Sequence, residues 1–144
     1  MISPRRRASG RVAILLLLAA VSAGCASRPA RVPATPAGWS ERGLASWYGP
    51  KFHGKTTASG EVFDMHALTA AHRRLPFGTV VEVRHRRTGR RVRVRINDRG
   101  PFKRGRIIDL SYAAARELGI LEEGLAPVRI AVMPGPAHAG ERRE

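Results

Sequence analysis

The chain has 144 residues, 26 Lys plus Arg against 11 Asp plus Glu, and a formal net charge of +15. That length holds one domain with a tail, and 43% apolar against 26% charged residues excludes a chain that is disordered throughout. The single cysteine excludes a disulfide framework and any multi-cysteine zinc site built within the chain.

Residues 1–24 have the layout of an export signal. Arg5, Arg6, Arg7 and Arg11 form a basic stretch, and Val12 to Val21 is a run of ten apolar residues. The run is shorter than the roughly 20 residues a membrane-spanning helix needs. Ser22, Ala23 and Gly24 follow and lead into Cys25, the sole cysteine. This arrangement resembles a bacterial lipoprotein signal, with Ser22 standing where an aliphatic residue is usual. The resemblance implies cleavage before Cys25, acylation of its thiol, and a periplasmic protein held to a membrane by a lipid anchor. A thiol without a partner is reactive in an oxidising compartment, and several acyl chains give a stable tether where one would be marginal. Ala26 replaces the Asp that often keeps such proteins at the inner membrane, which favours the outer one. Cleavage would remove four arginines and leave about +11.

Residues 25–38 contain Pro29, Pro33 and Pro36 among small residues and no apolar periodicity, the composition of an extended linker. Residues 39–133 are the expected domain, and 134–144 the expected disordered tail. Within the domain the dominant period is two. Leu44 to Tyr48 alternate and stop at Gly49-Pro50, which predicts a strand. Thr79 to Arg87 and Arg90 to Ile96 flank Thr88-Gly89 and predict a hairpin with one apolar and one cationic face. Arg106 to Leu110 and Pro127 to Met133 predict two further strands. Ser111 to Leu118 predicts a helix, capped by Ser111 and stopped by Gly119. Many short strands, 15 glycines and one or two short helices predict an all-β fold, a small barrel.

Five candidate site residues stand beside turn signals: Glu61, Asp64, His72, Asp98 and Asp109. Each also has a purely structural role open to it. Asp64 and Asp98 can cap turns, Asp109 can favour the N-terminus of the next helix, and His72 can be a surface histidine. Trp47 and Tyr48 are candidate substrate-binding aromatics, although alternation turns them to opposite faces. Phe63, Phe77 and Phe102 are expected in the core.

Taken in order, Ala45-Ser46-Trp47-Tyr48-Gly49, Thr57-Ala58-Ser59-Gly60-Glu61, Phe63-Asp64, Thr69-Ala70-Ala71-His72, Leu75-Pro76-Phe77-Gly78-Thr79, Asn97-Asp98-Arg99-Gly100-Pro101-Phe102 and Gly105 to Ser111 closely resemble the rare lipoprotein A family. The resemblance covers roughly Gly43 to Gly119. It implies a double-psi β-barrel, related in fold to expansins, and a lytic transglycosylase acting on the glycan strands of peptidoglycan. Such an enzyme cleaves between N-acetylmuramic acid and N-acetylglucosamine without water, because the muramyl 6-hydroxyl closes a 1,6-anhydro ring. One carboxylic acid of raised pKa can serve as acid and then as base. Asp109, between Ile108 and Leu110, is the first candidate for that acid. Asp98 is the second, with Arg99 beside it as a charge partner and substrate-binding group. By the same resemblance Glu61, Asp64 and His72 complete the site. A barrel that binds glycan without cutting it, as expansin-like proteins do, is the rival reading.

Seven arginines lie between Arg84 and Arg95, the kind of stripe that binds phosphate. An exported protein does not meet the genome, so no nucleic-acid partner is expected; the stripe is expected to steer the domain to an anionic polymer of the envelope. The five histidines lack ligand spacing, and no metal or cofactor is expected. The expected state is a monomer.

Overall fold

The computed structural model describes Thr35, Pro36 and residues 38–134. The expected signal, Cys25, most of the linker and nearly all of the tail lie outside the described residues. The elements in chain order are β1 (Ser40–Trp47), a single 3-10 turn (Pro50–Phe52), β2 (Thr69–Ala71), β3 (Val80–His85), β4 (Arg91–Asp98), β5 (Arg106–Leu110), α1 (Tyr112–Leu118) and β6 (Ala126–Val132). The strands close into a barrel in the order β1-β5-β2-β4-β3-β6. Two neighbouring pairs are parallel, β1 with β5 and β2 with β4, and the other four are antiparallel.

The hairpin of β3 and β4 follows the sequence pattern closely. Val92, Val94 and Ile96 alternate into the barrel with Val81 and Val83, all essentially without solvent contact, and Arg91 and Arg93 point out. Closure lets each inward side chain meet partners from several strands, so a short chain gains one continuous core and exposes no sheet edge. Helix α1 covers one side through Ala114, Ala115 and Leu118. Ser111 caps it by accepting from the Ala114 amide at 3.2 Å, and Gly119 ends it at φ 82°.

Four sequence expectations are corrected. β1 starts four residues earlier than the alternation suggests, because Ser40 to Leu44 pair with β6 despite their polarity. β2 was not expected at all; Thr69-Ala70-Ala71 is too short and too weakly patterned to signal a strand, yet it is fully buried between β4 and β5. Phe102 is 84% exposed, since it follows the Gly100-Pro101 turn that carries the chain off the barrel. Phe77 is also exposed at its rim, and of the three phenylalanines placed in the core only Phe63 is buried.

Both parallel ladders contain a one-residue register shift. On β4 the partners of Ala70 and Ala71 are Ile96 and Asp98, so Asn97 is passed over. On β5 the partners of Leu44 and Ala45 are Arg106 and Ile108, so Ile107 is passed over. Ile107 folds over Gly43, where an added Cβ would stand 2.5 Å from its Cγ2. Ile107 is β-branched and stiff, so it yields little. Gly43→Ala is therefore expected to destabilise the domain by about 1–3 kcal/mol, measured as a lower urea midpoint at unchanged m-value.

Candidate active site

The register shift at Asn97 decides where the acid after it points. Strict alternation would carry Asp98 to the same side as Val92, Val94 and Ile96, inside the barrel. The shift reverses the parity and turns Asp98 to the barrel mouth, as bulges beside active sites do. There Ala71, the last residue of β2, pairs with Asp98 on one side and with Asp109 on the other. Two carboxylates thus flank a strand whose own side chain is a single methyl group.

Asp98 is held by three neutral donors. Its Oδ1 accepts from the amides of Ala58 at 2.9 Å and Arg99 at 2.8 Å, and its Oδ2 from the Tyr48 hydroxyl at 3.1 Å. Tyr48 extends β1 by donating its amide to the Leu110 carbonyl at 2.9 Å, which brings the phenol across the mouth. Burial first, and then the charges of Asp98 and Asp109, push the Tyr48 pKa far above its ordinary value. The hydroxyl keeps its proton. Tyr48, Phe52, Lys55, Thr57, Phe63 and Asp98 line a small open recess, with the Tyr48 ring 5.6 Å from that of Phe52 and 5.0 Å from that of Phe63.

Asp109 has a different setting from the apolar one its neighbours suggest. It is 7% exposed, accepts from the Ser46 hydroxyl opposite it in the ladder, and forms an ion pair with Arg106. Arg99 does not pair with the Asp98 carboxylate. Its guanidinium turns back to the carbonyls of His72 at 3.2 Å and Leu75 at 3.0 Å and lies 3.7 Å over the Phe77 ring, so it clamps the loop before β3.

Glu61 stands at the outer edge of the same mouth. Arg95 grips it with two bonds, 2.6 and 3.0 Å, and the Asn97 amide adds a third at 3.2 Å. The Arg95 bonds chiefly, with the Asn97 bond second, hold its pKa below the ordinary carboxylate range. Glu61 thereby ties the loop from Thr56 to Val62 to the shifted part of β4, and that loop supplies the Ala58 amide to Asp98. Asp64 is exposed, caps a turn through the His66 amide at 2.9 Å, and makes no bond to the other four candidates. Trp47 faces away from the recess and meets Tyr112 edge-on at 5.9 Å.

His72 is buried beside Trp39 rather than open to the recess. Its Nδ1 accepts from the Arg74 and Leu75 amides at 3.1 and 3.0 Å, so Nε2 carries the hydrogen and donates to Glu41 at 3.3 Å. His72 also donates its own amide to the Asp98 carbonyl at 3.2 Å and so positions the backbone of that residue. His85 repeats the design. Its Nδ1 accepts from the Arg87 amide at 3.1 Å, and its Nε2 meets Glu123 at 2.7 Å. Both locks begin at a His-Arg-Arg run, residues 72–74 and 85–87. Ser46, Phe52, Asn97 and Arg106 are site residues not singled out from the sequence, although Ser46, Asn97 and Arg106 lie within the segments that carry the family resemblance.

The fold and this mouth define a class, the double-psi β-barrels with a carboxylate-bearing recess. Structural comparison agrees on the fold: the chain resembles an expansin from Clavibacter michiganensis, with TM-score 0.55 and 24% identity over 69% of this chain and 52% of that one. It also resembles a papain inhibitor from Streptomyces, with TM-score 0.56 and 25% identity over 70% of this chain and all of the other. A family model described as lytic transglycolase matches residues 40–130. Among curated proteins, similarity reaches 52% identity over 103 residues with "Endolytic peptidoglycan transglycosylase RlpA" of Vibrio cholerae serotype O1, covering 72% of this chain and 39% of that protein. It reaches 59% over 91 residues with "Probable endolytic peptidoglycan transglycosylase RlpA" of Synechocystis sp., covering 63% of this chain and 28% of that one. The chain belongs to this rare lipoprotein A-like family of double-psi barrels. It spans about two fifths or less of the length of these relatives.

The buried His72 gives a pH signature. Burial, only partly opposed by Glu41, lowers its pKa from the ordinary 6.5. The unfolded chain then takes up a proton at a higher pH than the folded one, so this contribution to stability is complete above about 6.5 and is lost as pH falls toward the native value. In a nitrogen-detected NMR titration His72 is expected to hold the neutral Nε2–H tautomer with a midpoint below the ordinary value. A midpoint above it would mean that Glu41 stabilises an imidazolium instead.

Proposed function

We propose that this chain is an endolytic lytic transglycosylase of peptidoglycan, with Asp98 as the acid and base. The observation that carries this reading is the setting of Asp98: a carboxyl at an open recess with an aromatic wall, held only by neutral donors. The activity named for the relatives supports the same substrate and reaction.

Oδ1 of Asp98 is occupied by two main-chain amides, which leaves Oδ2 to carry the proton. The Tyr48 hydroxyl bonded to Oδ2 can donate to the carboxylate or accept from the acid, so the contact survives both states. Oδ2–H protonates the glycosidic oxygen as the C1–O bond to the N-acetylglucosamine leaving group breaks. The muramyl 6-hydroxyl forms the new bond to C1, and its proton returns to Oδ2. No water enters the balance. Phe52 and Tyr48 offer ring faces to the sugars. Asp109, Ser46 and Arg106 form a charged support behind Tyr48, Glu61 secures the loop over the acid, and His72 fixes its backbone. Asp64 shapes the rim of the loop.

The domain works in the periplasm as a monomer, tethered through acylated Cys25 and the linker at 25–38, at the outer membrane. The sequence pattern of residues 1–26 supports that placement.

Incubation of the protein with sacculi, followed by mass spectrometry, is expected to yield 1,6-anhydromuramyl ends. Asp98→Asn should lower their formation by about 100- to 10,000-fold while the domain stays folded by circular dichroism. Glycan binding without anhydro ends would identify an expansin-like binding module, and reducing ends would identify a hydrolase.

A further inference from the structure

On the barrel wall, strand register brings arginines from distant parts of the chain into one line. Arg42 on β1 faces Arg129 on β6, and Arg129 faces Arg84 on β3. All three are exposed, and with exposed Arg86 they line one open pocket. Arg91 continues the line opposite Arg84, but it is paired with Glu82 at 3.7 Å. Among the described residues the ion pairs use other arginines, and Arg129 makes one polar contact, donating to the Ser40 hydroxyl at 3.2 Å. Of the hairpin arginines, Arg87, Arg91 and Arg95 are engaged by acids, while Arg84 and Arg86 join Arg42 and Arg129, so the unpaired charge of the stripe extends across three strands.

Like charges directly opposite on neighbouring strands destabilise a sheet. A line of them whose one neighbouring acid, Glu82, is taken by Arg91 is relieved by a bound anion. All four residues are arginine, whose planar fork matches phosphate oxygens in a way that lysine does not. Their place in the fold points to the source of that phosphate. β1 begins two residues before Arg42 and β6 ends three residues after Arg129, so the N-terminal end of the barrel lies beside this pocket, and the choice of a lipid source rests on the anchor proposed at Cys25. The recess lies toward the other end of the same strands, with Tyr48 six residues beyond Arg42 and Asp98 seven beyond Arg91, about 20 Å away at the rise of a strand.

We propose that the pocket of Arg42, Arg84, Arg86 and Arg129 docks the domain on the phosphate headgroups of an anionic lipid surface. Docking there leaves the recess clear of the surface, and it does not depend on which reaction the recess performs.

The test uses residues 31–144, which contain the whole described core, in cosedimentation with phosphatidylcholine vesicles with and without phosphatidylglycerol. Binding is expected only with the anionic lipid and is expected to weaken with salt. Each Arg→Gln change in the pocket should lower partitioning about fivefold. The triple change Arg42→Gln/Arg84→Gln/Arg129→Gln should abolish binding and unfold at the same or a higher temperature than the parent, because like-charge repulsion is relieved. Lys103→Gln/Arg104→Gln/Arg116→Gln removes the same net charge elsewhere and should leave binding in place. Equal loss in both triples would overturn the proposal in favour of attraction by overall charge. Pocket-dependent binding of polyphosphate in calorimetry, with no vesicle binding, would overturn it in favour of a soluble polyanion.

Discussion

One residue of slip in a parallel ladder is the constraint from which the site follows. Asn97 is passed over in the pairing of β2 with β4, and the parity of everything after it is reversed. Without that slip Asp98 would be a carboxylate inside an apolar barrel, a costly placement for any charge without a partner. With it, Asp98 reaches the mouth, and Asn97 itself turns its amide to Glu61 and its carbonyl to the Ser59 amide. The loop carrying Ala58 is docked by the same residue that redirects the acid. Backbone irregularity and loop attachment are thus one feature.

β2 makes this possible by being small. A larger side chain than the methyl of Ala71 would stand between Asp98 and Asp109, the two acids it pairs with. Tyr48 donates to Asp98 and feels both charges. The second parallel ladder has its own slip, at Ile107, and two residues later pairs Asp109 with Ser46. Two similar half-barrels therefore present one acid each. They differ in partners, because β5 carries Arg106 three residues before its acid and β4 has Arg95 directed at Glu61 instead.

Much of the barrel was legible from side-chain periodicity. The strict alternation of Arg91 to Ile96 places three residues in the core, and Ser111 and Gly119 bound the helix as capping chemistry requires. What periodicity cannot express is where it fails. The slip at Asn97 leaves no mark in residue types, so the orientation of Asp98 could not be read. Apolar neighbours in sequence gave Asp109 an apolar setting, but its contacts come from Ser46 on β1 and from Arg106, set by strand pairing. Arg99 adjoins Asp98 in the chain and serves a different loop in space. His72 follows a strand and resembles a site residue, yet its ring bonds are spent on the turn after it and on Glu41.

The acids of the mouth divide by what protonation would cost them. Asp109 would forfeit an ion pair with Arg106, and Glu61 two bonds from Arg95. A charge-assisted bond is about twice as strong as a neutral one, so a proton arriving at either carboxyl displaces a strong interaction. Asp98 has no guanidinium partner, although the amide bonds to its Oδ1 are also strongest when it is ionised. Its Oδ1 keeps both amide bonds whichever state it is in, and Oδ2 keeps Tyr48 by reversal of the donor. A residue that must give up a proton and recover it within one reaction needs a surrounding that tolerates both states. At this mouth the neutral donors around Asp98 provide that, and the guanidinium groups beside the other two acids oppose it.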